Sequence, residues 1–204
     1  MADQQEPVVV NSSTEAVFYV MLLTCQKCSG RVWPRWNEAS QNNYQIVLPT
    51  TCGGCQRADS VTFDASRIDP ALWIGEPREW AEQWLVGETL SINPTSGPSR
   101  VIDVADWLTL YIMLTTLAQN MSASSVPTSA EQNVANRRRI RRLQFRAGQC
   151  ISEALKFYDV DNDLPPDDAF FTDQHRKHAR AHPELFLRQR LTDLRLKLPL
   201  SKND

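Results

Sequence analysis

Glycine is scarce in this chain of 204 residues, which contains only seven. The sequence has no glycine-rich phosphate loop, no nucleophile elbow and no HExxH motif. Its carboxylates are spread through segments with helical patterns, and no pair of them fits the roles of general acid and general base. Because catalysis then has no identifiable residues, we expect a protein that is not an enzyme.

Long hydrophobic runs are also missing. The longest apolar stretch, "WLTLYIMLTTLA" at 107–118, is shorter than the roughly 20 residues that span a bilayer. The first residues, "MADQQEPVVVNSSTEA", lack the basic start and apolar run of a secretory signal. We therefore expect a cytoplasmic protein without a membrane segment, in which 107–118 is a buried helix.

Cysteine is limited to five residues, and four of them form two pairs with the same spacing, "CQKC" and "CGGC". A disulfide framework is disfavoured, because five is an odd number and a reducing cytoplasm does not preserve disulfides. The spacing lets each pair wrap a tight turn, here called a knuckle, that directs two sulfurs toward one metal ion. Gly53 and Gly54 in the second pair are expected to supply positive φ angles and bare backbone for that turn.

The segments around the knuckles are rich in β-branched and aromatic residues: "EAVFYVMLL" precedes the first, "NYQIVLP" precedes the second and "SVTFD" follows it. Strand, knuckle, strand, knuckle, strand is the order of a zinc ribbon, and residues 15–64 resemble that family. The resemblance implies one structural Zn²⁺ with thiolate in all four coordination positions. Its ligands are Cys25, Cys28, Cys52 and Cys55.

A redox pair similar to thioredoxin is the competing interpretation of the cysteines. That site requires a helix that begins at the CxxC motif, and neither pair is followed by a helical pattern. Two tryptophans after the first knuckle, Trp33 and Trp36, also have two interpretations. They are candidate recognition aromatics that stack on nucleic-acid bases, or they pack the ribbon against the rest of the protein.

The remainder of the chain has helical patterns. A short helix begins near Pro77, with Trp80 and Trp84 on its core side, and the turn-rich "SINPTSGPSR" at 91–100 follows it. Two long helices are predicted over 104–120, with Asp103 as the N-cap, and over 131–158. A last helix is expected to begin at Pro183, with His182 as its cap.

The helix over 131–158 contains "NRRRIRRLQFR", which has six arginines in ten residues. Helical periodicity gathers the apolar residues of this helix, among them Leu143, Cys150 and Ile151, in one arc of its surface, and all six arginines fall outside this apolar arc. A solvated face is therefore the first interpretation, and contact with an anionic partner is the alternative. The candidate contacts are Arg137, Arg138, Arg139, Arg141 and Arg142. Cys150 falls inside the arc and is expected to be a buried thiol rather than a fifth metal ligand.

Two further patterns resemble metal sites and are expected not to bind metal. "DVDNDLPPDDAF" at 159–170 has the first three aspartates of a calcium loop, but it lacks the required glycine and glutamate, which favours an acidic turn that folds back on the arginine helix. The three histidines, His175, His178 and His182, share one possible helical face. Basic residues lie between them, and no carboxylate nearby in the sequence orients them.

These observations predict an α+β protein, in which a small three-stranded zinc-ribbon β region joins a mostly antiparallel α-helical region. The predicted divisions are a flexible N-terminus (1–14), the zinc ribbon (15–66), a short helix with its connector (67–100) and a helical domain (101–204). We expect a zinc-binding, non-enzymatic protein-interaction module, adaptor or regulatory, whose partner is another protein. The alternative is a nucleic-acid-binding regulator that uses the arginine helix and the ribbon tryptophans.

Overall fold

A computed structural model of the chain describes residues 6–70, 75–86, 92–124 and 129–200. It divides into two compact units, Met1–Thr95 (unit 1) and Ser96–Asp204 (unit 2). Unit 1 contains a mixed sheet with helices, and the described residues of unit 2 form helices and turns. The predicted α+β class is confirmed.

The sheet of unit 1 is built around one long strand, β4. In the described residues its strands are β1 (Val8–Val9), β2 (Val32–Pro34), β3 (Ser40–Asn42), β4 (Gln45–Cys52) and β5 (Ala58–Asp64). Strand β4 pairs antiparallel with β5 on one side and with β2 and β3 on the other, whereas β1 pairs parallel with β5. Alternate residues of β4 face the core, so that Ile46 and Leu48 are buried while Val47 is exposed.

The segment before the first knuckle is a helix, so the strand predicted there is wrong. Helix α1 spans Ser13–Leu22. The Ser12 hydroxyl accepts from the Glu15 N–H at 2.9 Å, and the Glu15 carboxylate accepts from the Asn11 N–H at 2.6 Å. This reciprocal capping of the helix start outweighs the strand propensity of the aromatic and β-branched residues that follow.

Residues 8–14, which the sequence assigned to a flexible N-terminus, contain strand β1 and the start of helix α1. Val8 and Val9 pair with the end of β5, and residues 11–14 are buried. The predicted short helix is also present as α2 (Pro77–Val86), in which Trp80 is buried. Trp80 lies 6.4 Å from the Trp36 ring, and Trp84 lies 5.5 Å from the Phe18 ring of α1. Aromatic contacts therefore join α2 to α1 and to the 3-10 turn Trp36–Glu38 that follows β2.

Unit 2 is organised by a helical hairpin. Helix α3 (Val104–Ser124) packs against α4 (Ala130–Leu155), which confirms the two predicted long helices. Two shorter helices follow, α5 (Asp173–Ala181) and α6 (Arg188–Leu196), and α6 crosses α4 at Gly148. A Cβ atom on Gly148 would lie 3.1 Å from a guanidinium nitrogen of Arg195, so glycine permits this close approach.

The arginine-rich face of α4 is less exposed than predicted toward its C-terminal half, where Arg141 and Arg142 are half-buried and Arg146 is buried. Arg137, Arg138 and Arg139 are exposed, but Arg146 is 1% exposed and donates to the Gln149 side chain at 2.7 Å. The prediction that all six arginines face solvent is wrong for Arg146, because the C-terminal half of α4 is covered on more sides than its apolar arc. Cys150 is buried, as predicted.

The end of the chain differs in two further ways. Pro183 begins a 3-10 turn, Pro183–Phe186, to which His182 gives no side-chain cap, and α6 begins only at Arg188. In the acidic turn, Asp167 pairs with Arg180 of α5 and not with an arginine of α4. No helix among the described residues is long and apolar enough to cross a membrane.

Candidate metal centre

The structure brings the four predicted cysteines together at one end of the unit 1 sheet. One Sγ atom from each residue lies within 4.8 Å of the others, and the cluster contains Cys25, Cys28, Cys52 and Cys55. The Sγ atoms of Cys25 and Cys55 are 3.6 Å apart, and those of Cys28 and Cys52 are 3.4 Å apart. These separations are far longer than the S–S bond of about 2.05 Å, so the cysteines are free thiols.

The sulfur arrangement fits a tetrahedral zinc ion. Zn–S bonds of about 2.3 Å in a tetrahedron place the sulfurs roughly 3.8 Å apart, which is close to the two separations observed. Four sulfur donors also exclude Mg²⁺ and Ca²⁺, which prefer oxygen ligands. The four cysteines are therefore arranged for metal binding. Coordination by all four thiolates would leave no position open for a substrate, as in structural sites.

The two knuckles have the same backbone hydrogen bonds. In the first, the Cys25 N–H donates to the Gly30 carbonyl at 2.8 Å and the Ser29 N–H donates to the Cys25 carbonyl at 2.7 Å. The second knuckle has the two equivalent bonds: the Cys52 N–H donates to the Arg57 carbonyl at 2.9 Å, and the Gln56 N–H donates to the Cys52 carbonyl at 3.0 Å. The two CxxC motifs, which have the same spacing, therefore adopt the same pattern of backbone hydrogen bonds.

The sequence led us to expect positive φ angles at Gly53 and Gly54, but the positive φ angles of the knuckles lie on other residues. They lie on Ser29 (54°) and Gln56 (58°), each the residue directly after the second cysteine of its knuckle. A Cβ atom on Gly54 would lie 3.4 Å from the Cys28 Sγ, which is close to an ordinary van der Waals contact. Bare backbone is required instead at Gly53, where a Cβ atom would clash with the Trp33 indole.

Backbone N–H groups aimed at sulfur lower the pKa of two of the thiols. The N–H of Cys55 donates to the Cys52 Sγ at 3.4 Å and, with smaller contributions from neighbouring donors, lowers the pKa of Cys52 to about 6. The N–H groups of Lys27 and Cys28 likewise lower the pKa of Cys25. Because thiolate is the form that binds metal, these donors favour coordination.

Cys28 shows the opposite shift. The N–H of Gly30 lowers the pKa of Cys28, but its contacts with the sulfurs of Cys52, Cys55 and Cys25 outweigh that effect and raise the pKa to about 11. Sulfurs in mutual contact resist carrying several negative charges together. A divalent cation at their centre would supply the charge that lets all four ionise.

An open groove lined by aromatic side chains lies next to the first knuckle. We call it the aromatic groove; its main lining residues are Met21, Arg31, Trp33, Trp36 and Trp84. Trp33 is 52% exposed, and the Arg31 guanidinium lies 4.7 Å from the centre of its ring. The structure thus separates the two predicted recognition aromatics: Trp33 is exposed, and Trp36 is half-buried against Trp80.

The arginine side chains of α4 lie in unit 2. Arg137, Arg138 and Arg139 are exposed, and the described part of the chain gives them no carboxylate partner. Arg141 and Arg142 are half-buried on the same helix. The three exposed arginines form an open basic surface, and within the described ranges no ion pair joins them to Asp161–Asp168.

A second cluster of potential ligands, which sequence reasoning missed, joins α3 to α5. His175 lies 2.7 Å from the buried carboxylate of Asp103 and 4.0 Å from that of Asp106. The expectation concerned only carboxylates nearby in the sequence, and the partner of His175 comes from 72 residues earlier in the chain. A nearby carboxylate does contact another histidine, because His182 Nδ1 lies 3.6 Å from Glu184 Oε1. His178 and His182 are exposed, with ring centres 5.0 Å apart.

Comparisons with known proteins add no relative to this description. A scan against protein-family models, a search of curated proteins and a search of solved structures each found no match. The function is therefore inferred from the geometry of this chain alone.

Proposed function

We propose that this protein is a zinc-binding, non-enzymatic protein-interaction module of the adaptor or regulatory kind. The observation that carries the proposal is the convergence of four Sγ atoms on one point beside an exposed aromatic groove. The metal is one structural Zn²⁺, since the sulfur spacing fits zinc and the site has no open position. A reducing compartment such as the cytoplasm keeps these thiols available for the metal.

The zinc site supports the groove through Gly53, which lies between the ligands Cys52 and Cys55. The Gly53 N–H donates to the Arg31 carbonyl at 2.9 Å. Gly53 also packs against Trp33 so closely that a Cβ atom on it would clash with the indole Nε1. Zinc holds the second knuckle, the knuckle positions Arg31 and Trp33, and these two residues contact the partner.

The chemistry of the groove favours a protein partner. Tryptophan and arginine are the residue types that most often dominate protein–protein binding energies, and both are present here on one rim. An exposed indole covered on one face by a guanidinium offers apolar area, a hydrogen-bond donor and a positive charge together. We infer that the partner inserts an apolar segment that carries an acidic group for Arg31.

Metal analysis of the purified protein tests the zinc site. We expect one zinc per chain by mass spectrometry under native conditions. Cys150→Ser should keep this stoichiometry, because Cys150 is buried in unit 2, whereas Cys52→Ala should lose the metal. A preparation without zinc, or with iron in its place, would refute the structural zinc site.

Partner capture with matched variants tests the interaction function. A protein recovered with the tagged wild-type chain should be lost with Trp33→Ala and retained with Tyr44→Ala, which removes another exposed aromatic (59%) from the same unit. Both variants should contain one zinc. Equal recovery by the two variants would show that the groove is not the contact surface.

The alternative function, nucleic-acid-binding regulation, is favoured by one observation. Arg137, Arg138 and Arg139 form an exposed basic surface without internal carboxylate partners in the described residues. Fluorescence anisotropy with labelled DNA and RNA at physiological salt distinguishes the two functions. We expect weak, salt-sensitive binding, and submicromolar affinity would favour the alternative.

A further inference from the structure

The carboxylate of Asp103 in unit 2 is completely buried and accepts three hydrogen bonds. The N–H of Asp106 donates to Oδ1 at 2.9 Å, which caps α3. The N–H of Phe171 donates to Oδ2 at 2.9 Å, and the His175 ring nitrogen Nδ1 lies 2.7 Å from the same oxygen. Three fixed donors around a buried carboxylate hold it in one orientation.

These contacts determine which nitrogen of His175 carries a proton. A carboxylate oxygen only accepts hydrogen bonds, so Nδ1 must be the donor in its contact with Asp103. In the neutral imidazole, Nε2 then has a free lone pair. Hydrogen bonding to a buried carboxylate is also the arrangement that orients metal-binding histidines in other proteins.

The lone pair of Nε2 lies close to a second carboxylate. The Nε2 atom is 4.0 Å from Oδ1 of Asp106, and the two side chains are only 25% and 27% exposed. Two electron-pair donors this close repel each other unless a proton or a metal cation lies between them. The following residue, Arg176, does not supply that charge, because its guanidinium donates to the Asp173 carboxylate and the Phe170 carbonyl.

We propose that His175 Nε2 and the Asp106 carboxylate bind a divalent transition-metal ion of the zinc class, with Asp103 positioning the imidazole. Imidazole nitrogen and carboxylate oxygen together favour such an ion over Mg²⁺ or Ca²⁺. Ligand bonds of about 2.1 Å in a tetrahedron require N and O to lie roughly 3.4 Å apart, so a small rotation of the half-buried Asp106 carboxylate completes the geometry. Water fills the remaining positions, which makes this an open and exchangeable site.

The high pKa of Asp106 agrees with this site. Burial, followed by the charge of Asp103, raises the pKa of Asp106 to about 6. A carboxylate that is unfavourable in its ionised form gains stability when a cation binds beside it.

Calorimetric titration of the full-length protein with Zn²⁺ tests the proposal. The starting protein contains one zinc at the cysteines, so uptake of one more ion reports the second site. His175→Gln and Asp106→Asn should each abolish this uptake, and Asp103→Asn should weaken it by about 10- to 100-fold. The His175 imidazole resonances should shift when zinc is added to the wild-type protein.

Two controls keep the result interpretable. Asp106→Asn leaves in place the backbone N–H that donates to Asp103 and the contact between Asp103 and His175. An unchanged circular dichroism spectrum and melting temperature of this variant should show that its loss of uptake is not a folding defect. The double variant His178→Gln/His182→Gln removes the other pair of neighbouring imidazoles and should still bind the second ion. The proposal is overturned if the wild-type protein takes up no second zinc, if His175→Gln retains it, or if the double variant loses it.

Discussion

The knuckle end of unit 1 and the helical hairpin of unit 2 differ in how much apolar surface each one buries. Around the cysteines the chain is mostly exposed: residues 26–29 and 53–54 are exposed turns, and strand β3 has no buried side chain. Along the hairpin, by contrast, Leu110, Leu114, Leu143 and Ile151 are almost completely buried. A metal can substitute for an apolar core where the chain has none to bury, whereas the hairpin depends on packing.

Zinc removal should produce the largest difference between the two units. Structural Zn²⁺ contributes about 10–16 kcal/mol in zinc-finger peptides, which is more than the core beside the knuckles can replace. After chelation, or in Cys52→Ala, we expect amide exchange protection to be lost across β2, both knuckles and the adjoining ends of β4 and β5. Helices α3 and α4 should keep theirs, as measured by hydrogen exchange with mass spectrometry.

The contrast fails if the chelated protein keeps its protection around Cys25–Gly30 and Cys52–Arg57. It also fails if α3 and α4 lose protection to the same extent, because unit 2 would then depend on the zinc. Readdition of zinc should restore the wild-type exchange pattern, which separates metal loss from irreversible oxidation of the thiols.

A core substitution in α4 should destabilise unit 2 and leave the zinc site of unit 1 unaffected. Leu143→Ala removes a completely buried side chain from the hairpin, and such substitutions cost about 2–5 kcal/mol. We expect the free energy of unfolding of the helical region to fall by that amount, as measured by urea denaturation. The zinc content should remain one per chain.

The control for this variant is Leu196→Ala in α6, where the leucine is 72% exposed. Its cost should stay below about 0.5 kcal/mol. If Leu143→Ala also releases zinc, the units are more tightly coupled than their separate cores suggest.

The stability of unit 2 should depend on pH because of the raised pKa of Asp106. Its carboxyl has a pKa of about 6 in the folded protein against an ordinary 3.8, chiefly because it is buried. Between pH about 4 and about 6 the folded state therefore binds more protons than the unfolded state, and stability falls as the pH rises. The loss from this group is at most about 3 kcal/mol.

Urea denaturation across this pH range measures the effect. Asp106→Asn should flatten the decrease in stability, whereas Asp168→Asn, which changes an exposed carboxylate, should leave the slope unchanged. An unchanged slope in Asp106→Asn would show that the carboxyl titrates normally.

The two clusters of potential ligands show how far the sequence could predict the site. The cysteine cluster was predictable because each pair is local, and the CxxC spacing alone determines the geometry of a knuckle. The contact between Asp103 and His175 was not, because it depends on packing between residues 72 positions apart. Asp103 was nevertheless recognised as a helix cap, which is a local property.

The same distinction explains the outcomes for the fold. The long helices α3 and α4 were predicted because their periodicity extends over many residues. Helix α1 was predicted as a strand, although "SSTE" at 12–15 is a capping signal that indicates a helix. The burial of Arg146 could not be read from one helix, because the elements that cover a helix on further sides are set by tertiary packing.

The smallest expected effect concerns the exposed arginines of α4. Arg137, Arg138 and Arg139 have no carboxylate partners in the described part of the chain, so replacing all three with glutamine should change stability by less than about 0.5 kcal/mol each. Arg146→Gln on the same helix is the matched control, since its guanidinium is buried and hydrogen-bonded to Gln149. That variant should be destabilised by about 1–3 kcal/mol.

Binding measurements with the triple variant then decide what the exposed face does. If the arginines only solvate the helix, the variant should bind the protein partner as the wild type does and show the same weak binding to DNA. If they contact phosphate, its affinity for duplex DNA should fall by orders of magnitude, and the slope of log affinity against log salt should decrease by about 0.9 per lost contact. The second outcome would move the functional surface from the aromatic groove to α4, and with it the function from unit 1 to unit 2.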